Sequence, residues 1–226
     1  YSFIIGPILF AGLKVLKPNE ALVLTLFGKY YGTLKGEGFF FVNPFATAIN
    51  PATPVTSTGS LGADKATTPG KLSISGAHTL APQNKKISLK VMTLNNDKQK
   101  INDQLGNPII IGIAVIWRVV NTAKAVFNVD NYTEYLSIQC DSALRNIVRL
   151  YPYDSTQDNE KSLRGSSQEI TERLREEIQA KVEIAGLEII EARITHLSYA
   201  PEIAAAMLQR QQAAAIIDAR QMIVEG

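Results

Sequence analysis

The chain is poor in the residues from which compact chemical sites are built. It holds one cysteine and two histidines in 226 residues. A single thiol excludes a disulfide framework within the chain and any zinc site built on cysteines. The histidines, His78 and His196, lie far apart in the sequence, which argues against an imidazole-based metal site. Bulk charge of one sign is also missing: 23 Lys and Arg stand against 21 Asp and Glu, a net of +2. That balance excludes a strongly basic nucleic-acid binder of the simple kind. Apolar residues make up 46% of the chain. That suffices for one large domain or two small ones, burying about 70% of the unfolded surface without a covalent staple. The even charge total hides a split. Residues 1–100 hold 11 Lys and 4 Asp/Glu, a net of +7; residues 101–226 hold 12 Lys/Arg and 17 Asp/Glu, a net of −5. No methionine opens the chain and its first residues are already apolar, so it reads as a segment of a longer protein.

Residues 3–13 (FIIGPILFAGL) carry no charge. A helix needs about 20 apolar residues to cross a bilayer, so this run reads as the end of a membrane anchor. A buried core helix and a signal-peptide remnant are the alternatives. Gly6 and Pro7 are both at home in membrane segments. Lys14, Lys17 and Lys29 follow, against Glu20 alone, and basic residues beside a membrane segment favour the cytoplasmic side.

Residues 20–27 (EALVLTLF) predict a short strand, and Gly28, Gly32, Gly36 and Gly38 mark turns after it. The run GFFFVNPF, residues 38–45, crowds Phe39, Phe40, Phe41 and Phe45 together. Side chains alternate along a strand, so half of these rings point away from whatever the other half packs on. Either the strand is buried on both faces, or the rings form a rim touching lipid, where aromatics sit well. Residues 46–84 hold 4 Pro, 4 Gly, 4 Ser and 7 Thr, and no Phe, Tyr or Trp. Such a stretch reads as a long hairpin-like insertion with a short strand at 71–75 (KLSIS); a plain surface loop is the alternative.

Residues 85–94 (KKISLKVMTL) alternate, which predicts one half-buried strand with Ile87, Leu89 and Val91 on a common face. Residues 97–103 are polar and lead to a turn at Gly106, Asn107 and Pro108. Residues 109–120 (IIIGIAVIWRVV) form the strongest strand, covered on both faces until Arg118. Helices follow at 122–127 and 131–150, the second with Tyr135, Ile138, Leu144 and Ile147 at helical spacings. It is stopped by Tyr151, Pro152 and Tyr153. At 166–185, Ser166 precedes Glu169 by three residues, a capping-box signature. There Ile170, Leu174, Ile178 and Val182 make one apolar stripe, while Glu172, Arg173, Arg175, Glu176 and Glu177 take the outer face. Gly186 stands where a left-handed cap belongs. Residues 187–199 (LEIIEARITHLSY) alternate with a change of phase, which predicts a bulge near Ile190. Pro201 opens a last helix, rich in Ala and Gln, with Ile203, Met207, Ala214, Ile217 and Val224 near coiled-coil spacing.

Catalytic patterns are missing. Gly36, Glu37 and Gly38 lack the third glycine of a dinucleotide fingerprint. Gly70 and Lys71 fail the phosphate-loop pattern, with Lys65 where glycine is needed and Leu72 in place of Ser/Thr. No serine sits in a nucleophile elbow. Cys140 falls at a core position in mid-helix, so pairing it with His78 or His196 as a dyad is a forced reading. Asn131, Tyr132 and Thr133 form a glycosylation sequon that matters only in a lumen.

The succession VLKPNEALVLTLFGKYYGTLKGEGFFFVNPF, KKISLKV, GNPIIIGIAVIWRVVNTAKAVFNV and LEIIEARITHLSYAPEIAAAMLQRQQAAAIIDARQMIVEG resembles the SPFH or band 7 family of stomatin, prohibitin, flotillin and bacterial protease-regulating proteins. The last stretch, a strand leading straight into an Ala/Gln-rich helix, is the most telling. The resemblance covers residues 13–45 and 85–226 and departs at 46–84, where relatives have a shorter connection. It implies an α+β fold in two lobes. Residues 1–17 would end a membrane anchor, 18–104 would form a strand-rich first lobe carrying the insertion 46–84, 105–200 a mixed strand and helix second lobe, and 201–226 the start of a long oligomerisation helix entering a coiled coil. The implied function is a membrane-anchored, non-enzymatic scaffold of many copies. It would form a ring or cage enclosing a membrane microdomain and restrain a membrane protease or channel; a low-order membrane adaptor for such a partner is the alternative. No cofactor, metal or nucleic acid is implied, and the domain is expected on the cytoplasmic side. The expected lipid contacts are Phe3, Ile4, Ile5, Ile8, Leu9, Phe10, Phe39, Phe40, Phe41 and Phe45. The expected contacts between copies are Glu172, Arg173, Arg175, Glu176, Ile203, Met207, Ala214 and Ile217.

Overall fold

The computed structural model describes residues 12–52, 85–154 and 161–225. They fall into two compact units interleaved along the chain: residues 1–90, 119–135 and 184–186 in the first, and 91–118, 136–183 and 187–226 in the second.

The first unit is built on β2 (Glu20–Leu26), whose five central residues are buried in succession. β3 (Lys29–Lys35) pairs with it antiparallel, as do β5 (Thr47–Ile49) and β6 (Ile87–Ser88). The turn joining β2 to β3 is two residues long, Phe27 and Gly28, both at positive φ (49° and 79°). Two left-handed residues match the twist of a hairpin; glycine takes that conformation freely, whereas Phe27 does so at a steric cost. β1 (Leu13–Leu16) and β4 (Gly38–Phe41) form a separate antiparallel ribbon. Leu16, Leu22, Leu24, Val42 and Ala46 make the core, with Leu34, Phe40 and Ala48 packed on it. The stretch read as an insertion from residue 46 thus begins inside the sheet, and the strand expected at 71–75 lies outside the described residues. The ammonium of Lys86 reaches the Glu20 carboxylate at 2.9 Å, tying the segment before β6 to the start of β2. The helix α1 (Thr122–Phe127) belongs to this unit, capped by the Asn121 side chain, which accepts from the Lys124 N–H.

The second unit has the sheet order β10 (Leu187–Tyr199), β9 (Pro108–Val119), β7 (Met92–Asn95), with β8 (Gln99–Asn102) also on β9. The register locates a bulge. Asn95 opposes Ala114 and Gln99 opposes Ile111, so three residues, 96–98, face two on β9. β7 and β8 are therefore one strand with one extra residue, and its inward positions change from Met92, Leu94 and Asn96 to Gln99, Ile101 and Asp103.

Two sequence expectations fail here. Residues 85–94 are not one strand: Ile87 is buried in the first unit's sheet, the Leu89 N–H donates to the Asn19 carbonyl, and Val91 is exposed where the chain passes to the other sheet. The polar run 97–103 contains β8, because β9 supplies enough apolar surface for a partner that buries only Ile101 and Asp103. For the same reason residues 91–104, expected in the first lobe, join the second unit.

On β9, Ile109, Ile111, Ile113, Val115, Trp117 and Val119 are buried and Arg118 is exposed. The helix α2 (Tyr132–Val148) starts in the first unit and continues in the second. Its buried residues are Tyr132, Leu136, Cys140, Ala143, Leu144, Ile147 and Val148. Ile138, expected on that face, is exposed, because it lies about 160° round the helix from Leu136. The helix α3 (Ser167–Val182) buries Ile170, Leu174, Ile178 and Val182 as its spacing predicts. Its capping box does not form: Ser166 makes no side-chain cap bond, and Glu169 is drawn instead to Lys161 at 2.5 Å. A 3₁₀ turn, Glu183–Ala185, leads to Gly186 at φ +67°, the left-handed cap expected there. Buried positions on β10 run Leu187, Ile189, then Ala192, the change of phase read near Ile190. The helix α4 (Pro201–Glu225) follows directly.

Candidate functional site

The ribbon of β1 and β4 sorts its side chains by register. Leu13 opposes Phe41 and Val15 opposes Phe39. Directly opposed residues share a face, and all four are exposed, Phe39 at 76% and Phe41 at 63%. The other face carries Lys14 opposite Phe40 and Leu16 opposite Gly38; Leu16 is buried and Phe40 packs on the core. Of the three consecutive rings, two point out and one points in. Phe45 is also exposed, on a turn in which the Asn43 side chain accepts from the Phe45 N–H and the Ala46 N–H donates to the Asn43 carbonyl. Sequence reading did not single out Leu13 and Val15 as partners of these rings, although the β1–β4 pairing makes one apolar surface of four side chains. Phe3, Ile4, Ile5, Ile8, Leu9 and Phe10 lie outside the described residues.

The helix α4 carries a second apolar surface. Its first turns are tied to the second unit: the Ala200 N–H donates to the Pro108 carbonyl, Lys100 meets Glu202 at 2.6 Å, and Gln211 donates to Asp154 at 3.0 Å. Ile203, Met207 and Gln211, four residues apart, are the half-buried positions. Leu208, Ile216, Ile217 and Ile223 are exposed. At about 100° per residue, Leu208, Ile216 and Ile223 fall within about 80° of one another, away from the Ile203 and Met207 face. Of the residues expected to pack between helices, Ile203 and Met207 are thus partly covered within the chain, Ile217 is open, and the Ala214 side chain is not among those described.

The charged face of α3 is bonded to itself. Arg175 holds Glu172 at 2.5 Å, and Arg173 reaches Glu169 at 3.8 Å. The guanidinium of Arg175 keeps the exposed Glu172 carboxyl below its ordinary range.

Cys140 is fully buried, and burial, helped by the neighbouring Asp141 charge, pushes its thiol up to about 12. A thiol in that state is a core group and not a nucleophile. His196 meets Ser198 at 3.0 Å on β10, an edge strand. Asp141 is the polar centre that sequence reading missed. Asn96 and Gln99, on either side of the bulge, both donate to its Oδ1. Residues three apart on an unbroken strand would face opposite ways; the bulge turns both amides to one carboxylate. Burial raises the Asp141 carboxyl, and the two amides and Arg145 oppose that rise.

Among the described residues no group of His, Cys, Asp and Glu could hold a metal ion, and no helix is long and apolar enough to cross a membrane. A search of curated proteins found no match to the chain. The family model of the SPFH domain / Band 7 family matches residues 14–225. With strands and helices mixed as that match implies, the chain belongs to the SPFH domain / Band 7 family.

Proposed function

We propose that the chain is the membrane-contacting part of a scaffold that assembles in many copies and encloses a patch of membrane. The observation that carries this reading is the exposed apolar face of the β1–β4 ribbon, Leu13, Val15, Phe39 and Phe41, immediately after the apolar run 3–13. Four cross-strand side chains left in water are an unusual expense for a small sheet and suit a lipid interface. The family's membrane-associated and oligomeric character supports the same reading. In this proposal the anchor, the ribbon and Phe45 touch lipid from the cytoplasmic side. The two compact units serve as the two lobes of the domain. The helix α4 extends into a coiled coil in which Ala214 and Ile217 pack against a neighbouring helix on the side that also carries Ile203 and Met207, and the open stripe of Leu208, Ile216 and Ile223 offers a second packing face.

Weak contacts become firm when many are linked, since each later contact is made at high effective concentration. The basic 1–100 and acidic 101–226 segments, with Glu172, Arg173, Arg175 and Glu176, add a salt-sensitive attraction between neighbours. The scaffold is non-enzymatic and acts by confinement, holding a membrane protease or channel inside the enclosure.

Particle size after gentle detergent extraction tests the proposal. A ring of many copies is expected; a monomer or dimer would overturn it and favour a low-order adaptor.

A further inference from the structure

The strand β8 leaves part of its backbone unpaired, and the residues beside it are cationic. Pro108 has no N–H, and its carbonyl accepts from Ala200. Its pairing with Asn102 therefore lacks hydrogen bonds, as does the pairing of Lys100 with Ile110 two residues on. The turn bond from the Asp103 N–H to the Asn107 carbonyl fixes the same phase, because bonded pairs recur every second residue: 103 with 107, 101 with 109, 99 with 111. The backbone N–H and C=O of Lys100 and Asn102 must then point away from β9. Among the described residues nothing bonds to them. Lys100, Ile101 and Asn102 line an open cleft of about 230 Å³ together with Arg145 and Arg149. Three consecutive strand residues can line one cleft only where it runs along the strand's edge, since side chains alternate between faces.

The described residues that line the cleft include three cations, Lys100, Arg145 and Arg149, and no acid. Arg145 and Arg149 stand one helical turn apart at the end of α2, are exposed, and form no ion pair among the described residues. Asp141, one turn before Arg145, attracts it without forming an ion pair, and its Oδ1 is held by the amides of Asn96 and Gln99. Glu202 neutralises Lys100 alone. Asp103, next along the strand, is buried and does not line the cleft; its carboxylate accepts from the N–H groups of Leu105, Asn107 and Tyr153 and from the Asn107 amide.

From this geometry we infer a docking site for an extended acidic peptide segment of a partner protein, which adds as a strand to the outer edge of β8 and sets its carboxylates against Arg145 and Arg149. The main-chain groups of Lys100 and Asn102 supply strand-addition bonds, and the guanidiniums supply selectivity for acid. The bulge at 96–98 and the lysines at 98 and 100 discourage pairing with a neutral or basic edge, so the same features that protect the strand favour an acidic guest.

The test uses the purified protein and a fluorescein-labelled hexapeptide of sequence TEVEVT, followed by fluorescence anisotropy. Binding should weaken about tenfold or more in R145E/R149E, in N102P, and for the same peptide N-methylated at alternate amides. N102P removes only an outward N–H, where proline is tolerated on an edge strand; its unfolding midpoint and that of R145E/R149E should stay near the parent's. Equal affinity of the N-methylated peptide, or of N102P, would overturn the strand-addition mode. Loss of binding to anionic vesicles in R145E/R149E with peptide affinity unchanged would overturn the site as a peptide site.

Discussion

Replacing Phe39 and Phe41 by serine should release the β1–β4 ribbon from a membrane, and the size of the effect follows from their exposure. Fully burying a phenylalanine side chain is worth about 1.5–3 kcal/mol. The two rings are 76% and 63% exposed, so lipid can still cover most of each, which gives about 2–4 kcal/mol for the pair. At 1.4 kcal/mol per tenfold, the ribbon's local partition should fall roughly 30- to 1,000-fold. Bulk flotation would blur this, because the apolar run 3–13 can hold the chain on a vesicle by itself. A local reporter avoids the problem. Val15, beyond that run, faces Phe39 across the ribbon, and Cys140 is buried with its thiol pushed up to about 12, so at neutral pH a thiol dye reacts with an introduced V15C and not with Cys140. With vesicles, the dye emission should shift to the blue in V15C and stay water-like in V15C/F39S/F41S. A blue shift that survives the double serine substitution, or one that never appears, would refute the assignment of this face to lipid.

Gly186→Ala should be severely destabilising. A Cβ there would stand 2.4 Å from the Asn121 carbonyl oxygen, at φ +67°; strain and overlap together should cost about 3 kcal/mol or more, read from the urea midpoint. Gly186→Asn should not rescue it, because its Cβ meets the same carbonyl. Asp141 makes stability depend on pH with a defined sign. Its folded carboxyl is raised above its ordinary value, chiefly by burial, so ionising it opposes folding. That cost is absent below the unfolded value of about 4 and grows as pH rises through the folded one. Against D141N, the parent should therefore lose ground across that window in urea titrations, and parallel pH curves would contradict the reading. Ile216→Asn with Ile223→Asn should reduce particle size without moving the thermal midpoint of the described units, since both side chains are exposed. An unchanged particle would remove that stripe from assembly.

Much of the fold was legible wherever one face of an element carries the whole apolar signal. The four-residue repeat of Ile170, Leu174, Ile178 and Val182 named the buried stripe of α3. Gly186 announced its left-handed cap, and the phase change near Ile190 appeared on β10. The alternation of Phe39, Phe40 and Phe41 required that some rings point outward, and the register decides which. Legibility failed where a pattern continues across a change of partner. Ile87, Leu89 and Val91 alternate as one strand in sequence, yet the first lies in the β2 sheet and the last is exposed between sheets. Ser166 and Glu169 have capping-box spacing, but Lys161, from outside the motif, takes the carboxylate.

The bulge at 96–98 shows why the polar centre and the free edge stayed hidden. Read as sequence, Asn96 and Gln99 occupy opposite faces and Lys98, Lys100 and Asn102 look like a solvated loop. One extra residue against β9 brings both amides to Asp141 and fixes α2 beside the strand. The same extra residue sets the phase in which Lys100 and Asn102 turn their main-chain groups outward, beside Arg145 in the last turn of α2 and Arg149 just past it. Side-chain periodicity in a single strand reports only which face is buried; it carries no information on where the partner strand runs one residue short. The site at this edge is thus a property of the pairing between β8 and β9: the extra residue at 96–98 and the bond from the Asp103 N–H to the Asn107 carbonyl set the phase that leaves Lys100 and Asn102 unpaired on the β9 side.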